Sequence, residues 1–90
     1  MSELDKLSEY LTENHYNFER KDDNNPIWNR HSIIVYDDNG EYLWDAICHR
    51  GSYGYEKGLL EIMGTIVSYD AGDSVEGWLT AQDVIDRLEA

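Results

Sequence analysis

Two β-rich runs, "SIIVY" and "EYLWDAIC", flank the dipeptide Asn39-Gly40, and no other feature constrains the fold of this chain so strongly. Asn-Gly suits the positive φ angles of a two-residue type I′ turn, and runs rich in Ile, Val, Tyr and Trp suit paired strands. With a two-residue loop, facing residues have numbers summing to 79. His31 then faces Cys48, Ile33 faces Ala46, and Val35 faces Trp44. Alternation sends His31, Ile33, Val35, Tyr42, Trp44, Ala46 and Cys48 to one face of the hairpin. Ile34, Tyr36, Leu43, Asp45, Ile47 and His49 go to the other. Both faces are largely apolar, so each calls for a cover of helices or of another molecule.

The rest of the chain supplies candidate covers. Leu4, Leu7, Tyr10 and Leu11 recur at helical spacing over residues 3–13, with Glu3, Asp5, Glu9 and Glu13 elsewhere on the turn. Tyr16, Phe18 and Arg20 alternate with Asn17, Glu19 and Lys21 as in a short strand, and "DDNNPIWNR" reads as a loop because of its turn residues and Pro26. Between Tyr55 and Val67, the spacing of Leu59, Leu60, Met63, Ile66 and Val67 predicts a second helix, weakened by Gly58 and Gly64. "DAGDS" is a loop and Val75 to Leu79 a short extended piece. Thr80 with Asp83 forms the pattern of a capping box, Asp replacing the usual Glu or Gln, and opens a last helix with Ala81, Val84, Ile85 and Leu88 inward. The expected architecture is α+β: a small antiparallel three-stranded sheet with a central hairpin, packed by an N-terminal helix and two C-terminal helices. Ninety residues, with neither repeat nor linker, make one compact domain, residues 1–90.

Charge narrows the function. Nineteen Asp and Glu stand against seven Lys and Arg, a formal net charge of −12. Such a surface repels nucleic acid and anionic lipid and attracts basic partners. From Gly58 to Ala90 there are seven acids and one base, Arg87. Solubility alone accounts for many acidic surfaces. The sharper alternative is a functional acidic face, for which the candidate binding residues are Asp70, Asp73, Glu76, Asp83, Asp86 and Glu89. Tyr53 and Tyr55, of a residue type enriched at protein interfaces, join them from the corner "HRGSYGYEKG". Packed corner aromatics are the plainer account of those two.

Catalytic and metal chemistry find little support. On a strand, Cys48 and His49 point to opposite faces, and Asp45 and His49 lie about 13 Å apart. His31 facing Cys48 is the one pair that could share a proton and form a reactive thiolate, yet the pair sits among Ile33, Val35 and Trp44, where a free cysteine is usually inert. Three histidines and one cysteine show no zinc spacing, the Asp/Asn clusters lack the ligand order of a calcium loop, and no glycine-rich phosphate loop is present. No catalytic residue, metal or cofactor is expected. A single cysteine, no signal-peptide pattern and no membrane-length apolar run point to a cytoplasmic setting and to no membrane partner.

The run "YDDNGEYLWDAICHRGSYGYEKGLLEIMG" and the closing "VEGWLTAQDVIDRL" resemble small acidic proteins encoded by phages and prophages of Gram-positive bacteria. The likeness covers Ile33 to Leu88 and carries no catalytic residues with it. It implies an accessory protein of an infected cell, similar to the small acidic inhibitors that block host nucleases or other defence enzymes, such as anti-CRISPR proteins. The expected function is therefore protein–protein binding without catalysis, by an acidic nucleic-acid mimic whose partner is basic or binds nucleic acid. The alternative is a structural or regulatory adaptor, a homodimer that covers its second apolar sheet face by self-association.

Overall fold

A computed structural model describes residues 1–27, 29–67 and 75–90. In chain order the elements are α1 (Glu3–Glu13), β1 (Asn17–Asp23), β2 (Arg30–Tyr36), β3 (Tyr42–Cys48), a single 3₁₀ turn (Tyr55–Lys57), β4 (Leu60–Gly64), β5 (Val75–Leu79) and α2 (Ala81–Glu89). The strands form one antiparallel sheet in the order β1-β2-β3-β4-β5, a meander in which each strand pairs with its neighbour in sequence. The α+β class holds. Among the described residues the sheet has five strands where three were expected, and two helices stand where three were expected.

The missing helix is the segment 55–67. Its apolar spacing fits a helix, but "LEIMG" also has period two: Leu60 and Ile62 are fully buried while Glu61 and Met63 face outward. Strand pairing prevails because β3 would otherwise leave one backbone edge without partners, and β4 supplies them from Trp44↔Gly64 to Ile47↔Glu61. Gly58 and Gly64 close the strand off on both sides with positive φ (70° and 107°), which no helix accommodates. At Gly64 the space is as restrictive as the angle. A Cβ there would lie 2.6 Å from the Leu43 carbonyl oxygen and 2.7 Å from Trp44 Cα. Val75 to Leu79, expected only as an extended piece, is the edge strand β5.

The β2–β3 hairpin has the expected register, with His31↔Cys48, Ile33↔Ala46 and Val35↔Trp44. It reaches that register by another route. Asp37 N–H donates to the Glu41 carbonyl (2.8 Å) and Gly40 N–H to the Asp37 carbonyl (3.0 Å), so the loop has three residues, Asp38, Asn39 and Gly40. Gly40 alone of these takes positive φ (81°). The extra loop residue is offset by a bulge at Leu43, since Val35 faces Trp44 but Tyr36 faces Tyr42. The bulge exchanges two side chains. Leu43 packs against the core, whereas Tyr42 turns to the outer face, hydrogen-bonding the Asp45 carboxylate.

Both helices lie on the inner face. Leu4, Leu7 and Leu11 of α1 with Ala81 and Val84 of α2 close over Ile33, Val35, Trp44, Ala46, Leu60 and Ile62. Burial of each large apolar side chain in this set contributes about 1.5–3 kcal/mol. Both helices open on a capping box, Ser2 with Asp5 and Thr80 with Asp83, the second as expected. Glu3 of α1 accepts the Ala81 N–H of α2 at 2.7 Å, and Tyr10 donates to Glu89 at 3.1 Å. Start is thus tied to start and later turn to later turn. The two helices run parallel, side by side, although they stand at opposite ends of the chain.

Candidate protein-binding surface

The pairing of α1 with α2 gathers most of the described candidate acids and adds others. Asp83, Asp86 and Glu89 are all exposed on α2. Asp83 accepts the Thr80 N–H as part of its cap, Asp86 accepts from the Gln82 amide at 2.8 Å, and Glu89 accepts from Tyr10. None of these contacts neutralises a carboxylate with a cation. Beside them α1 brings Glu3, Asp5, Glu9 and Glu13, so that the helix layer carries seven acids and two bases, Lys6 and Arg87. Lys6 pairs with Glu3 (2.9 Å) and Arg87 with Glu76, while Glu9 and Glu13 are exposed and meet no base among the described residues. The acids of α1 were visible in the sequence. Their adjacency to α2 was not, because some seventy residues separate the helices along the chain.

Glu76 does not belong to that surface. It lies on the inner side of β5, where both guanidinium nitrogens of Arg87 hold it and where Arg87 also donates to the Ile66 carbonyl (3.2 Å). Its role is to tie β5 to α2. Asp70 and Asp73 lie outside the described residues.

Tyr53 and Tyr55 separate in role. Tyr53 is 58% exposed, whereas Tyr55 is half-buried and accepts a hydrogen bond from the Asn29 amide at 3.0 Å. From Asn29 a chain of contacts runs to His31 (3.2 Å), on to Asp22 (2.7 Å), and through Arg20 to Asp5 of α1 (2.8 Å). This line binds the corner, the β1–β2 edge and α1 together. Paired with Arg20 and donated to by Ser2 N–H, the Asp5 carboxyl is held at about 2, against an ordinary 3.8, the backbone bond being the larger cause. The His31 and Arg20 contacts lower Asp22, and the Ala81 N–H followed by Lys6 lowers Glu3.

His31 faces Cys48 as expected, yet the two do not act together. Both imidazole nitrogens are occupied, one by Asp22 and the other by Asn29, so neither is available to take the thiol proton. Burial pushes the Cys48 thiol up, further from the thiolate. Among the described residues no three of His, Cys, Asp and Glu converge on a point that could hold a cation, and no helix is long and apolar enough to cross a membrane.

Two further surfaces are the second sheet face, expected from its apolar residues to need a cover, and the corner that carries Tyr53 and Tyr55. Among the described residues no helix covers the outer sheet face, and Ile34, Tyr36, Tyr42, Ile47 and Met63 lie there among Glu19, Lys21, Arg30, Asp45 and Glu61. Tyr42 and Met63 are 50% and 42% exposed. At the corner, Arg50, Tyr53, Tyr55, Glu56 and Trp78 surround an open cavity of about 300 Å³. Trp78 lies within the Val75 to Leu79 piece, and the residue is 58% exposed. Comparison of the chain with protein-family models, curated proteins and solved structures returns no match.

Proposed function

We propose that the protein works by occupying the basic surface of another protein, as a carboxylate-bearing mimic of nucleic acid, and that the helix layer is the contact face. One observation carries the reading: two parallel helices place acids from both ends of the chain on one side of the molecule. Asp83, Asp86 and Glu89 follow one another at about 4.5 Å along the axis of α2, a spacing of the same order as the ~3.4 Å between phosphates of one DNA strand. Glu9 and Glu13 extend the line onto α1. A partner that binds such a surface releases counterions much as it would in binding DNA, and the resemblance to phage-encoded acidic proteins suggests a host nuclease or defence enzyme as that partner.

The test is capture of a host nucleic-acid enzyme from lysate, followed by elution with duplex DNA or salt. Raising salt from 50 to 200 mM should weaken the complex by about tenfold or more. A variant carrying Glu9→Gln, Glu13→Gln, Asp86→Asn and Glu89→Gln should lose it, Asp83 being kept because it caps α2. Capture that ignores salt, DNA and this variant would sink the proposal.

A second reading has its own support in the uncovered outer face with Tyr36, Tyr42 and Met63. There the protein is an adaptor that dimerises through the sheet, and its charge serves solubility. Sedimentation at micromolar concentration separates the two. A tight dimer that persists in high salt and is lost in Tyr42→Glu favours self-association.

A further inference from the structure

The exposed indole of Trp78 is held in place at a conformational cost. Its φ is +62°, a left-handed backbone that a bulky side chain rarely adopts. More than half of the residue nevertheless remains in solvent. The position is imposed by close backbone contact between β5 and the corner. A Cβ on Gly54 would come within 3.2 Å of Trp78 Cα, and one on Gly77 would overlap Tyr53 Cβ. Trp78 N–H points to the Tyr53 carbonyl at 3.5 Å. The result is a pair of exposed aromatic residues, their backbones held against each other, that line one cavity. Their rings are not stacked on each other, since the aromatic pair in contact among the described residues is Tyr10 with Tyr16.

We infer that this cavity is the anchor point of the interface and takes an arginine or lysine side chain of the basic partner, against the faces of Trp78 and Tyr53. The inference rests on the acidic-surface reading above and deepens it. Three observations point to a cation. Aromatic faces attract positive charge. Glu56, at the cavity wall, is exposed and meets no base among the described residues. The cavity also adjoins the acidic layer: Trp78 is two residues from Thr80, the cap of α2, and Ala81 is in turn bonded to Glu3 at the start of α1. Preorganised aromatic anchors beside a charged rim are how small interfaces gain affinity, because little side-chain freedom is lost on binding.

Among the described residues Arg50 is the one base at the cavity wall, and it provides a check on sign. If the occupant is a cation, Arg50→Ala removes a like charge and tightens binding. If it is an anion, the same change weakens binding.

The experiment uses the whole chain labelled with ¹⁵N, titrated with a hexa-arginine peptide and, as a neutral isostere, a hexa-citrulline peptide. The indole N–H of Trp78 is assigned by its loss in Trp78→Phe. The expected result is a saturable shift of that resonance with hexa-arginine and none with hexa-citrulline, about fivefold weaker binding in Tyr53→Ala or Glu56→Gln, and tighter binding in Arg50→Ala. If hexa-arginine moves only amides of α1 and α2, the pocket assignment falls and the acidic-surface reading stands. If hexa-citrulline moves Trp78 equally, or Arg50→Ala weakens binding, the cation assignment falls. If no resonance moves at all, both fall together.

Discussion

In the β2–β3 hairpin, Ile33, Val35, Trp44 and Ala46 are buried almost completely beneath the helices, and the loop at Gly40 stands in open space. In the β4–β5 half, strands are shorter, the register shifts between Leu60 and Ile62, and the backbone passes so close to its neighbours that Gly54, Gly64 and Gly77 have no room for a methyl group. The first half is held by area removed from water, and the second adds to the buried Leu60 and Ile62 close backbone approach and an ion pair. Side-chain area is forgiving of small changes in shape, whereas backbone contact is not.

Two glycines of similar φ give the sharpest way to break this comparison. Gly64→Ala meets both the left-handed strain and a clash with Leu43 and Trp44, and should cost about 4 kcal/mol, lowering the thermal midpoint by about 20 °C. Gly40→Ala meets the strain alone, at about 1 kcal/mol. Equal effects in a denaturant titration would remove the distinction between the two halves. Ile33→Ala, on the hairpin, leaves a cavity in the core and should cost about 3 kcal/mol, with little change in m-value if the sheet survives.

Smaller again is the tie between β5 and α2. Arg87→Met strips the guanidinium from a largely buried Glu76 and should cost about 1–2 kcal/mol, much of it recovered in the double variant with Glu76→Gln. Hydrogen exchange should show the loss concentrated in β5 and the last helix. The smallest effect is at low pH. Asp5, Asp22 and Glu3 have folded pKa values below their ordinary ones, so their contribution is complete above the ordinary carboxylate range and declines as pH falls. For Asp5 the window runs from 3.8 down to about 2, and Asp5→Asn should flatten that part of the acid limb. An unchanged limb would mean that the line from Arg20 to α1 contributes no stability.

Legibility follows the same division. Both helices could be read because an apolar stripe, joined in α2 by a capping box, is a local signal that acts over a few residues. The hairpin was legible in register but not in detail. Its three-residue loop and its bulge at Leu43 each shift the pairing by one and cancel, so the core face was right while Tyr42 and Leu43 changed sides. Residues 55–67 misled because Leu59, Leu60 and Met63 satisfy a helical stripe as well as a strand, and only the bare edge of β3 chooses between them.

The candidate site divides likewise. Asp83, Asp86 and Glu89 stood out as an acidic helix face; Glu76, seven residues before Asp83 in the same acidic stretch, pairs with Arg87. Trp78 had only one warning in the chain, the glycine on either side of the contact that exposes it, Gly54 and Gly77.

What could be read before any coordinates was therefore whatever a residue settles with its near neighbours: where helices start, where the chain reverses, which side chains are apolar and how strongly the whole is charged. Folding settled what depends on meeting a distant partner. β4 became a strand because β3 needed hydrogen bonds, α1 and α2 formed one carboxylate face because Glu3 reaches Ala81, and Trp78 came to the surface because two glycines let separate backbones touch. Backbone pairing and close approach are energies between residues far apart in sequence, and periodicity within a segment carries no record of them.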